Sequence, residues 1–197
     1  MITIDDFIAF YFRLANKNLN FLGTHSENTA IISCAVAGQM NFKGQELELL
    51  RTGSLLHDIG KLFVPAEILN ASRKLTDSEF ELIKTHTVAG FNCFDFKVMP
   101  EIKTFCLLHH YRDGHGYPDF NLQKINIDKI LIDILTIADS FSALVEPRIY
   151  KKSTSFLNAL KILDNKDCPK NKGINLEILD ILKYLINSEK ITLKDYF

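Results

Sequence analysis

Apolar residues recur along this chain with a period near that of an α-helix, and the pattern predicts helices almost throughout. The clearest stretch is DKILIDILTIADSFSAL, where Ile130, Ile134, Ile137, Phe141 and Leu144 fall on one stripe at alternating spacings of four and three. Thr3 can cap a first helix that carries Phe7, Phe10, Tyr11 and Leu14. Further helices run through TAIISCAVAGQM and QELELLRTGSLLHD. Thr76 with Glu79 fits a capping box, which starts a helix over Phe80 and Ile83. Pro100 suits the first turn of a helix that runs into His109 and His110. SFLNALKIL and LEILDILKYLI add two amphipathic helices, and DNKDCPKNKG between them reads as a flexible surface loop. KINIDKI alternates too briefly to predict a strand. The expectation is an all-α fold, a compact bundle of roughly eight or nine helices.

A chain of 197 residues predicts one domain over residues 1–197, with a core at 21–165. Residues 1–20 would form an N-terminal helix of that domain, and residues 174–197 a C-terminal helix after the surface loop. No receiver or sensory domain is expected ahead of His25, so regulation would come from a partner or be absent. Hydrophobic residues make up 47% of the chain, with fifteen Phe, which argues for a packed core and against disorder. The net charge of −1 excludes a general nucleic-acid binder, so an anionic ligand would need a local basic patch. Cys34, Cys93, Cys106 and Cys168 form no CxxC pair and sit in apolar surroundings, as reduced core residues of a cytosolic protein do. MITIDDF lacks the basic start of a signal peptide, and no apolar run approaches the ~18 residues of a membrane span. A cytoplasmic protein without membrane contacts is expected.

The candidate chemistry lies in the histidines. His57-Asp58 ends one apolar helix (SLLHDIGKL) and His109-His110 another (IKTFCLLHH), where charge without a partner would be unfavourable. Asp139 lies inside the strongest amphipathic stripe, either beside a cation or at the stripe's solvent edge. Adjacent residues on a helix point about 100° apart, so a His-Asp pair and a His-His pair serve two neighbouring metals better than one. Nitrogen and oxygen donors without thiolates suit iron, manganese or zinc and argue against a structural zinc site. Two divalent ions ~3.5–4 Å apart can hold a bridging hydroxide that attacks a phosphodiester. Lys61, one turn beyond Asp58, is the candidate for neutralising the phosphate; the alternative is a lysine placed by the helix dipole. Gly114 and Gly116 free the backbone of YRDGHGYP, Asp113 can tie its turn and Pro118 stiffens its exit.

THSENTA, LLHDIGKLFVPAEIL, KLTDSEFELIKTHTVAG, HHYRDGHGYP and IADSFSALVEPRIYKK together resemble an HD-GYP domain, in order and nearly in spacing. This is the branch of the HD phosphohydrolase superfamily whose characterised members hydrolyse cyclic di-GMP. The resemblance implies seven metal ligands. Asp58 would bridge two metals, His25, His57 and Asp139 would complete one site, and His86, His109 and His110 the other. Iron or manganese is expected first, with zinc, nickel or magnesium as alternatives. Asp58 and Lys61 would be catalytic, and Arg148 and Lys151 would contact phosphate with Lys61, unless they form only a solvated surface. The loop of Asp113, Gly114, Gly116, Tyr117 and Pro118 would be a lid beside the dinuclear site and a docking surface for a cyclic di-GMP-synthesising or regulatory protein. His115 is left unassigned.

Three departures from the pattern stand out. HH is followed by Tyr111 where an acid is usual, and the loop is one residue shorter. Phe21 replaces the glutamate of three-metal members, which predicts two metals. Ser142 replaces an aspartate that could partner Lys61. The leading expectation is a phosphodiesterase that opens cyclic di-GMP to linear pGpG, with further cleavage to GMP and related cyclic dinucleotides both left open. A non-catalytic cyclic di-GMP sensor that keeps its metals is the second reading. A nucleotide phosphohydrolase is the third, and it would leave His86, His109 and His110 unexplained.

Overall fold

The computed structural model describes residues 3–19, 21–93, 101–112, 115–119, 127–147 and 153–194. Its first helix, α1 (Ile4–Asn18), starts on a capping box: Thr3 accepts from the Asp6 N–H and the Asp6 carboxylate returns to the Thr3 N–H. Then come α2 (Leu22–Gln39), α3 (Gly44–Leu56), a 3₁₀ turn η1 (Ile59–Phe63), the single turn α4 (Ala66–Leu69), α5 (Asp77–Lys84) and α6 (His86–Asn92). The second half holds α7 (Ile102–Leu108), α8 (Lys129–Val145), α9 (Phe156–Asp164) and α10 (Leu176–Asn187). The predicted Thr76–Glu79 capping box is present at the start of α5. Pro100 and residues 124–126 of KINIDKI lie outside the described residues.

The architecture is all-α, as expected, with two differences in detail. Tyr111–Arg112 (β1) and His115–Gly116 (β2) pair antiparallel in a two-residue hairpin, with Tyr111 opposite Gly116. Four residues of strand carry no alternation long enough to read from sequence. The loop between α9 and α10 is also more structured than its composition suggests. It holds a 3₁₀ turn at Pro169–Asn171, and the Asn171 amide donates to the carbonyls of Ile162 and Asn165.

α8 is the central element. Ile134, Ile137 and Phe141 of its predicted stripe are buried, but so are Leu131, Ile132, Leu135 and Ala138 on its other faces. A helix enclosed on most sides needs apolar residues nearly all round, so the stripe understated its burial. α2 packs against both α8 and α3, while α6 packs against η1 and α7. The closest approach is at Gly60, where a Cβ would lie 1.9 Å from the His86 carbonyl oxygen. Only glycine lets η1 touch α6 there, and that contact brings Asp58 against His86.

Candidate metal centre

Four segments converge on α8. α2 supplies His25, the α3–η1 junction His57 and Asp58, the start of α6 His86, the end of α7 His109 and His110, and α8 Asp139. All seven side chains nominated from sequence are brought together. His25, His57, Asp58, His86 and His109 are fully buried, Asp139 is buried and His110 is half-buried. Asp139 therefore sits inside the core, not at a solvent edge.

Local backbone sets which nitrogen of each ring faces inward. Nδ1 of His57 lies 2.7 Å from the Ser54 carbonyl, Nδ1 of His86 2.6 Å from that of Ile83, and Nδ1 of His109 2.9 Å from that of Cys106. A carbonyl can only accept, so each Nδ1 carries the proton and each Nε2 is aimed at the centre. Asp58 divides its two oxygens between the rings. Oδ1 lies 3.3 Å from His86 Nε2 and 3.5 Å from His109 Nε2. Oδ2 lies 3.4 Å from His57 Nε2 and 3.6 Å from His25 Nε2, and it accepts from Lys61. Asp139 stands between the groups, with Oδ1 3.0 Å from His25 Nε2 and 3.7 Å from His57 Nε2, and Oδ2 3.7 Å from His110 Nδ1.

This donor set fits divalent cations. His25, His57 and Asp58 offer ligand atoms within 4.8 Å of one another, and so do Asp58, His86, His109 and His110. Buried His57 Nε2 and Asp58 Oδ1 have no hydrogen-bond partner among the described residues. Nε2 of His86 and of His109 face each other at 3.1 Å. With their Nδ1 protons committed to carbonyls, those nitrogens turn lone pairs toward each other, an arrangement that a cation resolves.

The electrostatics divide the rings. Burial alone would depress His57, but the Asp58 and Asp139 carboxylates push it up to about 10. Burial likewise opposes the charge on His25, yet Glu146 and Asp139 leave it raised. His109, buried and beside other rings, is pushed down to about 4, and burial with the adjacent His109 also lowers His110. Burial would raise Asp58, but Lys61 and His57 hold its carboxyl well below the usual range.

Around the centre, the Tyr117 ring stacks 4.6 Å from that of His110 and lies 6.3 Å from that of His86. Gly116 has φ 83°, and a Cβ there would meet the His110 carbonyl at 2.0 Å, so the hairpin closes tightly onto the histidine pair. Pro118 follows Tyr117 through a cis peptide bond. Asp113, Gly114, Arg148 and Lys151 lie outside the described residues. Lys61 also lines a cavity of about 930 Å³ whose walls include Lys17, Phe21, Arg73, Phe80 and Pro147.

One residue at the centre was missed from sequence. Glu146, buried, lies with its two carboxylate oxygens 3.0 and 2.9 Å from His25 Nδ1, and it accepts from the Ser142 hydroxyl. Its signal was its spacing: Glu146 follows Asp139 by seven residues, about two turns, and so shares its face of α8.

Fold and donor set together define an all-helical domain with a buried histidine–carboxylate centre. A family model described as HD domain matches residues 11–168. The cyclic di-GMP phosphodiesterase PdeB of Borreliella burgdorferi is 31% identical over 163 residues, which cover 79% of this chain and 42% of that protein. The 3'3'-cGAMP-specific phosphodiesterase 3 of Vibrio cholerae is 30% identical over 181 residues, 89% of this chain and 37% of that protein. Among solved structures, the HD domain of the L. monocytogenes phosphodiesterase PgpH, in complex with cyclic-di-AMP, superposes with a TM-score of 0.62. It is 18% identical and covers 91% of this chain and 96% of that one, a likeness of fold. The chain belongs to the HD-domain family, in its HD-GYP branch. It spans about two fifths of the length of these two curated relatives. No helix among the described residues is long and apolar enough to cross a membrane.

Proposed function

We propose that the chain is a metal-dependent phosphodiesterase domain that opens cyclic di-GMP to linear pGpG and cleaves that product on to GMP. The observation that carries this reading is the division of Asp58, whose two oxygens face two different sets of imidazoles. A carboxylate so placed suits a bridge between two cations. His25, His57 and Asp139 would complete one site, and His86, His109 and His110 the other. Iron or manganese matches the nitrogen–oxygen donor set. Bound divalent ions supply acidified water and neutralise charge on the phosphate.

The protein's own groups would do the rest. Lys61 now donates to Asp58 Oδ2 and also lines the adjoining cavity, so its ammonium needs only a small swing to meet a phosphate oxygen. Lys17, Arg73, Lys74 and Lys170 line the same cavity, which supplies the local basic patch that a dianionic ligand needs in a chain of net charge −1. Phe21 and Phe80 offer apolar walls to its bases. A volume of about 930 Å³ accommodates a ligand of this size. Arg148 and Lys151 are assigned as further phosphate contacts. Tyr117, packed on His110, supports a role for the GYP stretch as a lid and as a docking surface for a regulatory or cyclic di-GMP-synthesising protein. Residues 1–197 are assigned to one domain. The reading places it in the cytoplasm, where Cys34, Cys93, Cys106 and Cys168, all free thiols, stay reduced.

The test is anaerobic purification, metal quantification, and incubation with cyclic di-GMP, 3'3'-cGAMP, GTP and ppGpp in parallel. About two metals per chain with pGpG formation supports the proposal. Cleavage confined to 3'3'-cGAMP would move the substrate, and metal and ligand binding without product would make the domain a sensor. One metal with cleavage only of GTP or ppGpp would overturn the cyclic-dinucleotide reading.

A further inference from the structure

His25 is held differently from the other buried rings. His57, His86 and His109 each give their Nδ1 proton to a carbonyl three residues back on their own chain segment. Nδ1 of His25 instead meets both oxygens of Glu146, a residue 121 positions away in sequence. Its Nε2 meets Asp139, so one imidazole is clamped between two carboxylates from the same face of α8. Ser142 lies between them, three residues after Asp139 and four before Glu146, and its hydroxyl donates to Glu146 Oε1. Glu146 caps the C-terminal end of α8 with extended backbone, and its N–H still donates to the Ser142 carbonyl. That ties the glutamate to the helix that also carries Asp139.

We propose that Glu146, steadied by Ser142, is the positioning residue of the centre: it fixes the ring of His25 and raises the basicity of the Nε2 that faces Asp58 and Asp139. The role deepens the metal-dependent reading above and rests on it. A carboxylate partner holds an imidazole more firmly than a carbonyl does and donates more electron density through the ring. Position 142, where the HD-GYP pattern anticipates an aspartate, carries only a hydroxyl here, and the carboxylate stands one turn later on the same face. The negative charge is thereby placed beside His25, while Lys61 donates to Asp58.

Glu146→Gln preserves shape and leaves an acceptor for Nδ1–H but removes the charge; Glu146→Ala removes both. Co(II) and Mn(II) titrations of the full chain, followed by absorption and calorimetry, should show affinity reduced about 10-fold in Glu146→Gln and up to about 100-fold in Glu146→Ala. The near-ultraviolet spectrum of Glu146→Gln should match the wild type. In a His25→Ala background, Glu146→Gln should have no further effect, since it acts through the ring. An undiminished effect there, or wild-type affinity in both single variants, overturns the proposal. A readout independent of metal comes from ¹⁵N-labelled, metal-free protein. The His25 Nδ1–H resonance should be protected and shifted downfield in the wild type, and should lose both features in Glu146→Ala. If the resonance lacks them in the wild type, the positioning role fails whatever the metals do. If it has them but the wild type binds neither Co(II) nor Mn(II), the metal-dependent reading fails, and the role of Glu146 toward a metal fails with it.

Discussion

Lys61 donates a hydrogen bond to Oδ2 of Asp58, three residues before it, at the point where η1 leaves α3. The same oxygen faces His57 and His25, so a cation that takes these ligands must compete with the ammonium for it. Lys61→Met is therefore expected to act in opposite directions on binding and turnover. Mn(II) affinity should rise, while kcat for the cyclic dinucleotide should fall by about 10²–10³-fold, the scale of a lost preorganised charge. Metal titration and steady-state kinetics on one preparation check both signs.

Asp58→Asn keeps the shape of the side chain and removes the charge shared by both sets of imidazoles. Metal content should fall toward zero, and kcat/KM should fall by at least about 10³-fold. A control lies on α8, six residues before Asp139. Asp133 is also buried, and it is paired with Lys129 at 2.8 Å and with Asn175 at 3.1 Å, away from the centre. Asp133→Asn should leave metal content and kcat/KM at wild-type values while lowering stability by about 1 kcal/mol. Elemental analysis, activity and urea unfolding of both variants separate the two roles.

Metal binding should be coupled to protons, and the sign follows from the rings. In the metal-free protein the Asp58 and Asp139 carboxylates push His57 up to about 10, so it is cationic at pH 7, and Glu146 and Asp139 also raise His25 above its ordinary value. His109, near 4, is already neutral there. A metal on His57 and His25 must displace protons, so affinity should climb as pH rises from 6 toward 10, about tenfold per unit for each proton released. Calorimetry in two buffers of different ionisation enthalpy should count at least about one proton released per chain at pH 7. Release of none would contradict the cationic state of His57.

Two glycines should respond oppositely to alanine. At Gly60 a Cβ would meet the His86 carbonyl oxygen at 1.9 Å and the Gly90 nitrogen at 2.6 Å, both backbone atoms of α6. Gly60→Ala should destabilise the fold by about 1–3 kcal/mol and weaken metal binding, because α6 must move and carries His86 with it. Gly38 has nothing within 4 Å of a built Cβ and lies near the end of α2. Gly38→Ala should stabilise by about 0.5–1 kcal/mol without changing metal affinity. Thermal unfolding of metal-free protein with a parallel Mn(II) titration tests the pair.

Much of the fold was legible where its cause is local. Thr3 and Thr76 cap helices through residues three positions away, and those caps can be read directly. The start of α2 was not legible. Its first turns carry Ser26, Asn28 and Thr29, all fully buried, so the inward face is polar and shows no apolar period. What the Asn28 amide does there depends on the far end of the chain: it accepts from the Lys194 N–H at 2.7 Å and donates to the Lys194 carbonyl at 3.2 Å. The candidate site followed the same division. His57-Asp58 and His109-His110 stood out as polar pairs closing apolar helices, whereas Glu146 was marked only by its seven-residue spacing from Asp139.

By itself, then, the sequence determined a helical chain with its caps, one apolar stripe of α8, and a set of histidines and acids that resembles one family's ligands. Those properties depend on side-chain type and on spacings of three, four or seven residues, which a linear reading preserves. Only the tertiary structure decided how Asp58 divides its oxygens between two sets of imidazoles, and that Glu146 stands behind His25. Each of these is set by contact between helices far apart in the chain, and hydrogen-bond direction and charge pairing have no counterpart in periodicity. The shape of the centre is therefore a property of how α2, α6, α7 and η1 pack around α8.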